Sequence, residues 1–186
     1  MSGVSSPFTY VSAFLRDKAV ASVSPSSRYL AARVVDAMAA ERARTVVEYG
    51  PAEGVITERI LSRMAPDAVL VAVERNGGFA RTLRRRRDPR LRVVHGDAWE
   101  IEPILRRLGL GPADVIVSGI PFSHFDAVRR HELLRRTRAQ LAPHGRFVAY
   151  QCTTHLIPAL ARHFRKVDTA FEVRNLPPHF VFTAYP

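Results

Sequence analysis

The sequence predicts an α/β fold: a mostly parallel seven-stranded sheet that ends in an antiparallel hairpin, with helices on both faces. Two observations carry this. From Thr45 onward, short runs rich in β-branched or other apolar residues recur at Thr45–Tyr49, Val69–Glu74, Leu91–His95, Asp114–Ser118 and Arg146–Gln151, and a segment able to hold a helix separates each from the next. Runs such as Val69–Val73 are apolar without alternation, which implies burial on both faces, as in a parallel sheet. The last two candidates, Lys166–Val173 and Phe180–Ala184, are joined by Arg174–His179. That connection is too short for a helical crossover, so these strands should pair antiparallel.

The chain has 186 residues, enough for one domain with an adequate core. The expected organisation is a single domain over 1–186, with a helical lead or lid over 1–44 and a ligand-binding α/β core over 45–186. Hydrophobic residues make up 47% of the chain, which excludes a disordered tail. No apolar run approaches the roughly 18–20 residues that span a bilayer. Met1–Arg16 lacks a charged segment followed by a long apolar stretch, so no secretory signal is expected. Cys152 is the only cysteine, which rules out an internal disulfide and leaves no thiolate cluster for zinc. A cytoplasmic setting follows as the expectation.

Charge points to a partner class. With 28 basic and 17 acidic residues the net charge is +11, which favours polyanions: nucleic acid, an anionic membrane face or phosphorylated substrates. Arginine supplies nearly all of it, and arginine enrichment can also reflect genome composition, so charge alone does not choose between lipid and RNA.

The lead is read from periodicity. In Tyr10–Ala21, Val11, Phe14, Leu15 and Ala19 share one side while Arg16 and Asp17 lie elsewhere, the spacing of a short amphipathic helix. Pro25-Ser26-Ser27 then breaks the chain and offers a cap for a helix over Arg28–Glu41, whose apolar stripe is Leu30, Val34, Ala37 and Met38.

Ligands of open α/β sheets bind beyond the carboxyl ends of the strands, and the informative residues lie there. The first strand leads into Glu48-Tyr49-Gly50-Pro51-Ala52-Glu53-Gly54 and then a helix over Ile56–Met64. A dinucleotide fingerprint needs glycine at 50, 52 and 55; Ala52 and Val55 break it at two of three positions. Glu74 closes the second strand, where a carboxylate can accept both hydroxyls of a ribose. Gly96-Asp97-Ala98 follows the third, so three acids (Glu48, Glu74, Asp97) stand at three successive strand ends, a set suited to an adenosine rather than to phosphate. Ser118-Gly119-Ile120-Pro121-Phe122 follows the fourth, and Tyr150 nearly closes the fifth.

The loop at Glu48–Gly54 resembles the E-x-G-x-G-x-G loop of class I methyltransferases, with Ala52 at the central glycine. The resemblance covers nearly the whole chain: the sequence looks like the bacterial phospholipid N-methyltransferases, with the rRNA adenine dimethylases as a neighbouring family. It rests on Phe14-Leu15-Arg16, Val23-Ser24-Pro25-Ser26-Ser27, Val47-Glu48-Tyr49-Gly50-Pro51, Val73-Glu74-Arg75-Asn76, Gly96-Asp97-Ala98, Ser118-Gly119-Ile120-Pro121 and Asn175-Leu176-Pro177-Pro178. It implies a Rossmann-like methyltransferase using S-adenosyl-L-methionine, held by Glu48, Gly50, Gly54, Glu74, Asp97, Ala98 and Ser118, with Asp97 on the adenine amino group. Ser118, Pro121 and Tyr150 then stand where the methyl group is transferred, and Ile120 and Phe122 help shape the acceptor pocket.

For the acceptor, the resemblance implies the amine of phosphatidylethanolamine-type phospholipids, with the enzyme peripheral to the inner, anionic membrane face. The alternatives are an rRNA adenine, a small amine or secondary metabolite, and a cofactor-binding regulator without activity, which only Ala52 invites. The dimethylases use Asn-x-Pro-Tyr or Asn-x-Pro-Phe, whose asparagine accepts from the adenine amino group; Ser118 cannot duplicate that amide. They also carry a C-terminal helical RNA-binding domain, for which no counterpart follows the last predicted strand. A primary amine must be neutral to attack, and desolvation beside a sulfonium lowers its pKa, so no strong base is needed. His124 and His155 fall on loops near the cleft, but such histidines are commonly solvated or structural. Cys152, His163 and His179 make no convincing metal set, and no metal is expected. Arg84–Arg87, continuing to Arg90 and Arg92, is either a solvated helix end or a contact for anionic lipid or RNA.

Overall fold

The computed structural model describes residues 26–186, so the amphipathic segment predicted over Tyr10–Ala21 lies outside the described residues. Seven strands alternate with helices: α1 (Arg28–Met38), β1 (Thr45–Tyr49), α2 (Val55–Leu61), β2 (Val69–Glu74), α3 (Gly77–Arg84), β3 (Leu91–His95), α4 (Ile101–Arg107), β4 (Ala113–Ser118), α5 (Ala127–Ala139), β5 (Leu141–Gln151), α6 (Ile157–His163), β6 (Lys166–Glu172) and β7 (His179–Tyr185). They form one sheet in the order β3-β2-β1-β4-β5-β7-β6. The β1–β2, β1–β4, β2–β3 and β4–β5 pairs are parallel, and β7 runs antiparallel to both β5 and β6. The closing hairpin is therefore present as predicted. Sequence did not foretell that β7 inserts between β5 and β6, which leaves β6 as the edge.

Strand alternation divides the core in two. Val46, Leu70, Ala72, Val115, Val117, Val148 and Val181 pack with Leu30, Val34 and Met38 of α1 and Ile56 and Ile60 of α2. Their neighbours Val47, Tyr49, Val71, Val73, Ile116, Phe147 and Phe182 point to the other face, against α4, α5 and α6. Two-sided burial is what runs such as Val69–Val73 require. Ser27 caps α1 by accepting from Leu30 N, as its position before the stripe predicts. The helix stops at Met38, short of the predicted Glu41, because Ala39 turns left-handed (φ 48°) and a 3₁₀ turn follows at Ala40–Arg42.

One strand boundary needs correcting. β5 begins at Leu141 rather than Arg146: Ala113 pairs with Leu141, the register then shifts, and Val115 pairs with Arg146. Pro143-His144-Gly145 has turn composition and concealed this irregular first half. A Cβ at Gly145 would stand 2.9 Å from the Asp114 carbonyl oxygen and 3.1 Å from that of Ala113, so only glycine admits the close approach.

Phe147 is the anchor of the helix-α5/α6 face. It is fully buried, edge-on to Phe122 at 6.1 Å and stacked on Phe164 at 5.9 Å. Phe147→Ala should cost about 3–5 kcal/mol of stability, read as a lowered urea midpoint at unchanged m-value.

Candidate active site

The loops after β1, β2, β3 and β4 meet at the carboxyl rim of the sheet. In the first, Gly50, Ala52 and Gly54 all have positive φ (66°, 49° and 84°). A side chain at Gly54 would meet Leu83 Cδ2 at 2.7 Å and the Arg86 guanidinium at 3.0 Å, and one at Gly50 would crowd Ile120 Cγ1 at 3.3 Å. Both positive φ values favour glycine, and a Cβ at either position would also make its side-chain neighbours shift. Ala52 bears left-handed strain of roughly 1–2 kcal/mol. Its N–H is held by Glu74 Oε2 at 3.0 Å.

Glu74 is no surface glutamate. It is buried, and its second oxygen accepts from Asn76 N at 2.6 Å. Asp97 stands at the next strand end, where it accepts from Trp99 N at 3.2 Å and lies 3.8 Å from Arg75. Ala98 begins the 3₁₀ turn that Asp97 caps and is buried. Glu48 lies deeper, on the α1–α2 side of β1, where it accepts from the Thr57 hydroxyl at 2.7 Å. Burial raises its pKa to about 7, the Thr57 hydrogen bond and the Arg86 charge pull the other way, and the Glu74 charge adds to the rise.

The loop after β4 is shaped by its neighbours. Ser118 is fully buried, and its hydroxyl accepts from Ile120 N at 3.2 Å. Pro121 leads into a 3₁₀ turn at Phe122–His124. Gln151 donates to the Ile120 carbonyl at 2.8 Å and accepts from Phe122 N at 3.2 Å, gripping the loop on both sides of Pro121. The Tyr150 hydroxyl lies against Gly119, only 2.2 Å from where a Cβ would stand. Burial first, and the Glu48 charge second, push that phenol well above its usual range, so it stays protonated.

Thus Glu74, Gly50, Asp97 and Ala98 share the rim with Ser118, Pro121 and Tyr150, while Glu48 supports the first loop from beneath. Sequence reasoning missed Gln151, although a polar residue closing an apolar strand is the same signal that singled out Glu74. It also missed Thr57 and Arg86, whose roles depend on helix positions. Arg86 pairs with Glu58 and donates to the Glu53 carbonyl at 2.8 Å, so the arginine run is partly internal. His124 and His155 are exposed. Cys152 Sγ lies 3.4 Å from His179 Nε2, with burial raising the thiol and lowering the imidazole, so both are neutral. Among the described residues no group of three or more His, Cys, Asp or Glu could hold a metal ion. A cavity of about 490 Å³ lies between α1 and α2, lined by Tyr29, Val55 and Arg59. It is not over the strand ends, so the site is located by its side chains.

Residues 9–124 match the family model described as ribosomal RNA adenine dimethylase. The chain belongs to this family. It is also 38% identical over 168 residues to an ornithine lipid N-methyltransferase of Singulisphaera acidiphila, covering 89% of this chain and 88% of that one. Among solved structures it is similar to the precorrin-6y C5,15-methyltransferase of Geobacter metallireducens (TM-score 0.69, 16% identity, 88% and 91% coverage). It is similar too to the 1,6-didemethyltoxoflavin-N1-methyltransferase of Burkholderia thailandensis, solved with S-adenosylhomocysteine (TM-score 0.60, 22% identity, 99% and 92% coverage). These structural likenesses show the Rossmann-like fold. The chain is an S-adenosyl-L-methionine-dependent methyltransferase of this family. A buried acid ending β2 beside a glycine-bearing loop suits the uncharged ribose and cationic sulfonium of that cofactor.

Glu48 makes stability depend on pH. Its pKa rises from 4.5 to about 7 on folding, so its contribution is complete below pH 4.5 and is lost as pH climbs through 7. Glu48→Gln keeps an acceptor for Thr57 and removes the charge. It should match wild type near pH 4.5 and exceed it by about 3 kcal/mol above pH 7. Urea unfolding at the two pH values measures the difference, and parallel curves would refute the assignment.

Proposed function

We propose that this methyltransferase acts on the primary amine of an amino lipid, with phosphatidylethanolamine and ornithine-type headgroups as the acceptors to compare. The observation that carries this is Ser118. Its hydroxyl is buried and engaged by Ile120 N, so the loop after β4 offers no side-chain acceptor to the edge of a base. A flexible primary amine needs no such in-plane recognition. The lipid-modifying relative, alike over 89% of this chain, supports the same reading.

S-adenosyl-L-methionine supplies an electrophilic methyl group on a positively charged sulfur. Glu74 would hold the ribose, Asp97 and Ala98 the adenine, and Gly50 and Gly54 the close backbone approach, with Glu48 lending negative potential from below. In-line displacement is governed by alignment, and the acceptor loop is held for it by Gln151. Pro121 and Tyr150 form the wall the amine approaches. The Tyr150 hydroxyl, protonated throughout the working range, orients the amine and does not remove its proton. That proton leaves to water before attack, helped by desolvation near the sulfonium. No described helix is long and apolar enough to cross a membrane, so access to lipid would be from the membrane surface.

Radiolabelled methyl transfer to phosphatidylethanolamine liposomes, ornithine lipid, rRNA and small amines in parallel should label lipid. Label in rRNA alone would overturn the acceptor assignment and favour the adenine alternative. Glu74→Ala should weaken cofactor binding in calorimetry by at least about tenfold, the worth of hydrogen bonds to a charged group. Unchanged affinity would remove the ribose contact.

A further inference from the structure

Four large hydrophobic side chains are exposed among the described residues: Val128, Phe171, Val173 and Leu176. Three of them belong to one hairpin. Val173 (64% exposed) and Leu176 (70%) lie in the connection between β6 and β7, and Phe171 is the penultimate residue of β6. Because β6 runs parallel to β5, this connection stands on the same rim as the loops of the active site.

The connection is held, not loose. Asn175 and Pro177 are buried on either side of Leu176. Asn175 Oδ1 accepts from Ser27 N at 2.7 Å, and its Nδ2 donates to the Pro177 carbonyl at 2.8 Å. With both neighbours fixed inward, Leu176 is fixed outward. The same hairpin carries His179, whose ring is 6.2 Å from that of Tyr150, over Gly119 of the acceptor loop.

Positive charge surrounds these aliphatic tips. Arg174 lies over the Tyr29 ring at 4.3 Å, and Arg28 lies over the same ring at 4.8 Å. The acid nearby, Glu172, is 1% exposed and is taken up by Arg33 at 2.9 Å and Arg174 at 2.8 Å. Three guanidiniums against one buried carboxylate leave the surface cationic. Aliphatic tips, an amphipathic tyrosine and an excess of guanidinium over carboxylate are the combination that a bilayer interface rewards, with apolar surface for the acyl boundary and cations for the phosphates. An RNA surface would set Val173 and Leu176 against phosphates and ribose, where they can make no hydrogen bond.

We propose that the segment 173–176 is a membrane-docking element: Val173 and Leu176 enter the interfacial layer of an anionic phospholipid bilayer while Arg28 and Arg174 meet its phosphates. Docking in this orientation turns the Gly119–Phe122 loop toward the headgroups. The inference deepens the lipid reading above and rests on it for its biological sense, but its test does not require the acceptor to be known.

Vesicles of phosphatidylglycerol and phosphatidylcholine contain no primary amine, so co-sedimentation with them reports docking alone. The wild-type chain should sediment at low salt and be released as salt screens the arginines. The V173D/L176D variant should partition at least about tenfold more weakly, since the two exposed apolar side chains that would enter the bilayer are replaced by charges. It should keep the wild-type unfolding midpoint and its methyl transfer to a short-chain amino lipid dispersed in detergent. A wild-type chain that ignores the vesicles, a variant that binds them as well as wild type, or binding confined to a structured rRNA fragment would each overturn the proposal. If the variant alone loses the vesicles while no amino lipid is labelled by either protein, docking stands and the acceptor assignment falls.

Discussion

The rim of the sheet is organised around the Glu74 carboxylate. It draws the loop after β1 to the loop after β2 through Ala52 N and Asn76 N, while the Glu74 carbonyl accepts from Gly96 N at 3.1 Å and aligns the loop after β3. A buried carboxylate without donors would be costly, and two backbone N–H groups satisfy this one. The same bond explains how Ala52 persists at a φ that favours glycine: a charge-assisted hydrogen bond offsets the strain. Replacement of the central glycine therefore does not break the loop.

Electrostatics within the site oppose those of the chain as a whole. The protein carries +11, yet Glu48, Glu74 and Asp97 gather at adjoining strand ends. Much of the arginine is occupied elsewhere. Arg86 braces the first loop through Glu58 and the Glu53 carbonyl, Arg90 joins Asp88 to the Met64 carbonyl, and Arg130 holds the carbonyls of Phe122 and Phe125. A cationic ligand can thus be favoured at the rim of a strongly cationic molecule, where a phosphate-bearing dinucleotide would be disfavoured.

Much of this fold is legible from the sequence because a parallel sheet buried on both faces demands uninterrupted apolar runs, and Val69–Val73 and its counterparts supply them. Strand-end acids are legible for the same reason: Glu48 and Glu74 interrupt such runs at their last turn inward. The position of β7 between β5 and β6 is not legible, because local pattern fixes that the last strands pair and not which of them faces β5. The early start of β5 is hidden by Pro143 and Gly145, residues whose local preference for a turn is overridden by the close approach to the carbonyls of Ala113 and Asp114. Gln151, Thr57 and Arg86 escape notice because each acts across the structure, on partners 9 to 33 residues away.

That distance matters for how acceptor choice is written into the molecule. The loop after β4 is held by its own Ser118, by Gln151 from β5 and by the Tyr150 hydroxyl lying against Gly119, so its backbone shape is imposed largely from outside. A loop supported in this way can exchange the residue at 118 without losing its course. An asparagine there would place an amide in reach of a flat base; the buried serine turns its hydroxyl back on the loop and leaves the approach to backbone and phenol. On the proposed amino-lipid reading, what the β4 terminus presents would select the class of nucleophile, and the hairpin beside it would help deliver that nucleophile.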